Sequence, residues 1–291
     1  MDYYILATYI ITNALAPVIL KFVSSDVPHS LMIFLSTLFA IIFFHILNFG
    51  KNITAYSKLF NNRQILSKYF MLSIVIMLIW ICGFIIPIQY SPFTFIFAYL
   101  GWPTFWGAFS LIKKNTKFGY KISFALVTFT LILFYGDLYF QGYTTTKYIW
   151  GIFITFSVGS LLYVYFKISA KINTLGFGAL EIMVTRYWFL FLIPLIYAVY
   201  TNQIHLINLT IILKALLQSI ILLIIPSYCM QISVKRLGSQ TTAIYMGLTP
   251  FINIIFQGII LKTEVMTNII ISLALFLAIV IPHFILKQSN K

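Results

Sequence analysis

Ten apolar runs, each about twenty residues long, are separated by short polar breaks, at 3–23, 30–49, 67–88, 93–112, 121–139, 148–168, 177–200, 209–230, 239–261 and 266–286. A helix rises about 1.5 Å per residue, so about 20 apolar residues cross the ~30 Å hydrocarbon core of a bilayer. Barrel strands would be about half that length and would alternate in polarity, which these runs do not. The pattern predicts an all-α integral membrane protein with ten transmembrane helices. Composition removes the soluble alternative. Only 8% of the chain is charged, against about 25% in a soluble domain, and the mean hydropathy is +0.99. No polar break is long enough to hold a separate soluble domain.

Positive loops stay on the cytoplasmic side of a bilayer, which orients the chain. With the N-terminus inside, the inner connections hold Lys51, Lys58, Arg63 and Lys68, then Lys113, Lys114, Lys117 and Lys121. They also hold Lys167, Lys171, Lys235 and Arg236, with Lys287 and Lys291 in the tail. The outer side holds Lys21, Lys147 and Lys262. Fourteen positive residues against three predict that both termini are cytoplasmic. The net charge of +14 then reflects topology and attraction to anionic lipid rather than a nucleic-acid surface. The opening MDYYI has an acid where a signal peptide carries positive charge, so no cleavable signal is expected.

Ten spans with both ends on one side predict two halves of five, 1–140 and 148–291. An odd number of helices per half inverts the second half, a plan common among secondary transporters. Sliding the chain on itself by 147 residues places Pro103 on Pro250, Cys82 on Cys229, Thr94 on Thr241 and Phe109 on Phe256. Under this arrangement Cys82 and Cys229 fall at different depths, and no disulfide is expected between them.

The stretch AYLGWPTFWGAF at 98–109 puts a glycine and a proline among large rings. Phe95, Tyr99, Trp102 and Trp106 are spaced four, three and four apart and share one helix face. Pro103 has no N–H, so the Tyr99 carbonyl loses its helical partner on that face, which a cavity tolerates and lipid does not. Shifted by 147, the same face becomes Thr242, Met246, Thr249 and Asn253, with Gln257 continuing it and Pro250 freeing the Met246 carbonyl. The expected site therefore has an aromatic wall of Tyr99, Trp102 and Trp106. It faces a hydrogen-bonding wall of Thr249 and Asn253, with Tyr245 beside them. Helix 1 adds Tyr9 and Asn13, with a further helix break at Pro17.

Arg186 lies deep within the seventh run, and a charge at that depth costs several kcal/mol unless it serves a purpose. It is a candidate for binding a carboxylate or phosphate. Glu181, about one turn inside the same run, is the candidate proton carrier. The four histidines are too dispersed for a metal site or a relay, and no phosphate-binding loop is present. No catalytic residue, metal or cofactor is expected, and the chain is not expected to be an enzyme.

The prolines of YLGWP and GLTP, the IQYSP and VKRLGSQ loops before them, and LKTE after the ninth run resemble EamA-type members of the drug/metabolite transporter superfamily. AYLGWP is most similar to the fourth-helix region of aromatic amino-acid exporters in that superfamily. The resemblance implies ten helices in two inverted five-helix repeats. It also implies alternating access at a midplane cavity. The family often carries an arginine in helix 2, where this chain reads FLSTLF with Ser36; here the arginine is Arg186, in the second half. The expected function is secondary transport of small amphipathic organic metabolites, amino acids or related compounds. The alternatives are an uptake or exchange carrier for a nucleoside- or cofactor-like substrate, and a membrane-embedded transferase. The expected setting is a bacterial inner membrane. The small molecule and the bilayer are the partners, nucleic acid is not one, and a monomer suffices.

Overall fold

The computed structural model describes residues 2–23, 26–114, 118–261 and 266–288. Lys117, Lys262, Glu264 and Lys291, which the sequence places in loops and tail, lie outside the described residues. The described chain is helical between its turns, with no strand. Nine stretches among the described residues are long and apolar enough to cross a bilayer. They mark the chain as an integral membrane protein. The tenth run folds as a helix over Met266–Gln288, within which the apolar stretch Thr267–Val280 is shorter.

Six helices keep roughly their expected bounds: α1 (Asp2–Val23), α2 (His29–Leu47), α4 (Arg63–Gln89), α5 (Pro92–Lys114), α6 (Phe118–Phe140) and α14 (Met266–Gln288). α7 (Thr145–Thr174) runs past its expected end at 168. Its 30 residues span about 45 Å, so it projects beyond the hydrocarbon at the end carrying Lys167 and Lys171.

The break at 50–64, expected as a polar loop, instead contains α3 (Asn52–Phe60), which buries Ala55 and Leu59. Ile53 and Phe60 of the same helix remain exposed. Nine residues with an apolar stripe suit a helix lying along the membrane surface.

The later runs are irregular. The seventh is split into α8 (Ala179–Thr185) and α9 (Trp188–Tyr200), with Arg186 and Tyr187 in the turn between them. The eighth is α10 (Leu209–Gln218), a π-helical segment at Ser219–Ile224, and α11 (Ile225–Leu237). The widened segment relieves the clash between the Pro226 ring and the turn before it. The ninth is α12 (Ser239–Tyr245), a 3₁₀ turn at Met246–Leu248 and α13 (Thr249–Phe256). That turn corrects one expectation. The Met246 carbonyl, left without its α-helical partner by Pro250, accepts the Thr249 N–H instead. Pro103, by contrast, sits inside an unbroken α5, and Pro17 inside an unbroken α1.

α14 lies along α6, α9 along α2, and α12 along α5. α7 packs against α4 and α5, and α1 packs against α11 and α13. Close approach depends on small residues. A Cβ on Gly107 would touch Ile244 and Ala243, and one on Gly247 would crowd Thr104 and Ile279. On α7, Gly151, Thr155 and Gly159 are four apart, the small-residue spacing that lets membrane helices meet. Gly151 lies under the Tyr90 ring, and Gly159 lies under Trp102 and the Ala98 carbonyl. Cys82 and Cys229 are free thiols. The outward faces carry exposed apolar side chains such as Ile132, Ile196 and Leu213, which hydrocarbon solvates without cost.

Candidate functional site

A cavity of about 50 Å³ lies in the bundle, walled by α1, α4, α5, α7, α11 and the α8–α9 break. It is large enough for a few waters. α1 reaches it with Tyr9, Asn13 and Pro17, and α5 with Phe95 and Tyr99. Those two rings stack at 5.2 Å between centroids. α4 supplies Trp80, α7 supplies Tyr165, and α11 supplies Pro226 and Ser227.

Arg186 also lines this cavity and is 1% exposed. One terminal guanidinium nitrogen donates to the Tyr165 hydroxyl. The other donates to the Tyr187 hydroxyl at 2.5 Å. The guanidinium carbon stands 4.6 Å from the Tyr187 ring centroid and 5.4 Å from that of Tyr165, positions that attract a cation to the ring face. The Nε–H has no partner among the described residues. The Lys58–Glu181 salt bridge lies elsewhere, and Arg186 pairs with phenol oxygens rather than a carboxylate among the described residues.

A polar stripe on α7 supports that arrangement. Tyr165 donates its O–H to Gln231 Oε1 at 2.9 Å, and Ser169 donates to the same oxygen at 2.8 Å. Gln231 Nε2 donates in turn to Asn173 at 3.3 Å. The Tyr165 ring is thereby fixed by its O–H while its oxygen accepts from Arg186. Sequence reasoning missed these residues; the spacing of Tyr165, Ser169 and Asn173, four apart, is the signal that could have found them. With Ser227 and Gln231, also four apart, it marks two polar faces turned toward each other.

The break beside Arg186 is covered from outside the cavity. The Tyr56 hydroxyl donates to the Val184 carbonyl at 3.2 Å and accepts from Trp188 Nε1 at 2.8 Å. His45 Nε2 is 3.1 Å from the same hydroxyl. A backbone acceptor left by a broken membrane helix needs such a partner, and α3 provides it.

Other expected site residues stand elsewhere. Trp102 and Trp106 share the face of Tyr99 but lie one and two turns further along α5, where α7 closes in. Trp102 donates to the Tyr135 hydroxyl at 2.8 Å, and its ring meets Phe156 edge-on at 4.7 Å. Trp106 donates to Ser160 at 3.0 Å. Neither ring lines the cavity. The hydrogen-bonding wall is also displaced. Asn253 donates to the Ala14 carbonyl of α1 at 2.6 Å and accepts from Gln257 at 2.5 Å. Thr249 is buried, and Tyr245 packs edge-on against Tyr3.

The two expected walls do not face each other across open space. Thr104 of α5 donates directly to the Ala243 carbonyl of α12 at 3.1 Å, because Gly107 and Gly247 bring those backbones into contact.

Glu181 is not at the cavity. One carboxylate oxygen accepts the Gly178 N–H at 2.7 Å and caps α8, while the other pairs with Lys58 at 2.8 Å. Among the described residues no three His, Cys, Asp or Glu side chains gather as metal ligands would. The arrangement can bind and orient a small solute; it presents no general acid–base pair and no activated nucleophile among the lining residues. The chain matches no family model and no curated protein.

Proposed function

We propose that the chain is a secondary transporter for a small amphipathic organic metabolite, an amino acid or a related compound. The observation that carries this reading is the largely apolar cavity into which Arg186, Tyr9, Asn13 and Tyr99 bring polar groups among the membrane helices. Intramembrane charge beside a cavity is the mark of a solute pathway. Aromatic rings, one cation and one amide around a small space suit an amphipathic organic solute better than an inorganic ion.

Two inverted five-helix repeats, 1–140 and 148–291, remain our reading of the architecture, and the helix packing supports it. Number the spans one to ten, with α8–α9 as the seventh, α10–α11 as the eighth and α12–α13 as the ninth. Exchanging each span with the one five places away carries the pairing of α4 with α7 onto that of α11 with α1. It carries α5 with α7 onto α13 with α1, and leaves α2 with α9, α5 with α12 and α6 with α14 each paired as before. That two-fold pattern, together with the short motifs, favours an EamA-type member of the drug/metabolite transporter superfamily. The Lys and Arg bias of the loops favours cytoplasmic termini, and the setting we propose is a bacterial inner membrane.

A cavity of about 50 Å³ is smaller than a whole metabolite requires, so transport demands that the walls part. At one end the closing contacts are Lys58–Glu181 and Tyr56–Val184. At the other they are Ser30 to Gln203 at 2.5 Å and Tyr90 to the Lys147 carbonyl at 2.7 Å. Counterflow in proteoliposomes, preloaded in turn with each of a panel of amino acids, nucleosides and organic acids, tests the proposal. Saturable exchange of one chemical class is expected. A folded, reconstituted protein that exchanges none of them overturns it.

A further inference from the structure

Several donors around the cavity are unpaired, and they say what fits there. Arg186 Nε–H is buried with no partner among the described residues. The Tyr9 hydroxyl accepts from Asn13 Nδ2 at 3.1 Å and is 1% exposed. Its own O–H reaches no acceptor among the described residues. The Tyr99 hydroxyl makes no hydrogen bond to any described residue, although its ring is fixed by stacking on Phe95. Three N–H or O–H donors therefore stand over one cavity with no counter-charge. Among the described residues of its lining, Arg186 is the one ionic side chain.

We propose that this cavity is a carboxylate clasp. A monoanionic carboxylate of the substrate docks on Arg186, with the Tyr9 and Tyr99 hydroxyls as further donors. Four physical points favour a carboxylate. A single guanidinium neutralises one charge, so a phosphate dianion would bring a second, unmatched charge into a low-dielectric interior. Charge-assisted hydrogen bonds are about twice as strong as neutral ones, so the anionic form gains from each free donor where a neutral amide gains little. The volume of about 50 Å³, room for a few waters at roughly 10–15 Å³ each, admits a carboxylate head group as the walls stand. Once the walls part, the apolar remainder of the solute would extend along Phe95, Trp80 and Pro226 of the same lining.

The clasp rests on the transporter reading only in supposing that the bound carboxylate is the transported solute, and the two fail separately. The probes are acetate, phenylacetate, phenylacetamide and phenyl phosphate, together with the proteinogenic amino acids and their amides, in detergent-solubilised wild-type protein. Thermal stabilisation and titration calorimetry read their binding. At least one carboxylate is expected to bind tenfold or more tightly than its own amide and than phenyl phosphate. Arg186→Gln is expected to abolish that preference. Where Arg186→Gln does not fold, Tyr99→Phe, which keeps the ring and the stack, is expected to cut carboxylate affinity about tenfold and leave amide affinity unchanged. Amides binding as well as acids, phosphate binding best, or no carboxylate stabilising the folded wild type at millimolar concentration overturns the clasp. Carboxylate binding without counterflow in proteoliposomes keeps the clasp and removes transport. Counterflow of neutral solutes with no carboxylate preference does the reverse.

Discussion

Gly159→Ala tests the packing that closes α5 on α7, and its effect can be worked from the contacts. A Cβ at residue 159 would stand inside 3.0 Å of both the Ala98 carbonyl oxygen and Trp102 Cβ. Carbon pairs sit best at about 3.5–4.0 Å, so from 2.4 Å the helices must part by roughly 1 Å, which forfeits about half of each dispersion well. Trp102 makes on the order of 50 atom contacts worth ~0.1–0.2 kcal/mol each, so losing half of the well across half of them costs about 2 kcal/mol. Straining the 2.8 Å Trp102–Tyr135 hydrogen bond adds up to ~1 kcal/mol. The sum lies within the roughly 1–3 kcal/mol typical of overpacked cores.

Gly136→Ala is the matched control, because nothing lies within 4 Å of its added methyl. Both variants gain the same helix propensity, at most about 1 kcal/mol, so their difference isolates the steric part. At about 2–4 °C per kcal/mol, Gly159→Ala should melt roughly 2–12 °C below Gly136→Ala. Fluorescence-detected size-exclusion after a series of heating steps measures both midpoints. Equal midpoints would refute the close α5–α7 contact.

Trp102→Phe and Tyr135→Phe should each lower stability, and a double-mutant cycle should return a coupling of about 0.5–1.5 kcal/mol; carboxylate affinity should not change, and a tenfold loss of it would return Trp102 to the binding wall. Glu181→Gln should lower stability by about 0.5–2 kcal/mol through the weakened cap of α8 and the lost pair with a half-exposed Lys58. The same variant should transport with unaltered pH dependence, and abolished pH-driven transport with intact exchange would restore Glu181 as a proton carrier. A cysteine at Gln203 should label from outside and one at Asn61 should not; the reverse pattern inverts the topology.

The helices were legible because the solvent dictates them. In hydrocarbon a spanning segment must satisfy its own backbone, so a run of apolar residues near the bilayer's thickness admits one structure. Ends and interruptions obey other partners. Nothing in Thr185-Arg186-Tyr187 forbids a helix, since it holds neither glycine nor proline. The break there coincides with the Tyr56 hydroxyl on the Val184 carbonyl and with the two phenols on the guanidinium. Of those partners, Tyr56 and Tyr165 lie far away in sequence. α3 was missed for a related reason, because an apolar stripe nine residues long is too short to stand out from a polar loop.

The site was legible in proportion to the free energy at stake. Leaving Arg186 in lipid would cost several kcal/mol, so its position within an apolar run pointed to a protein-lined space. Tyr9, Asn13 and Tyr99, named from spacing and helix breaks, line the same cavity. Trp102 was a weaker case. Its face on α5 follows from periodicity, but whether that face meets a cavity or a neighbour depends on depth along α7. There a single glycine at 159 decides the matter. A tryptophan packed on a helix and a tryptophan lining a cavity differ by ring contacts of about 0.5–1.5 kcal/mol, too little for a single chain's pattern to separate. Asn253 shows the same limit. An amide in a membrane helix must find a partner, but a backbone carbonyl such as that of Ala14 satisfies it as well as a substrate would. A charge narrows the choice because neutral partners alone leave it uncompensated, which is why the argument for a carboxylate rests on Arg186 and not on the rings around it.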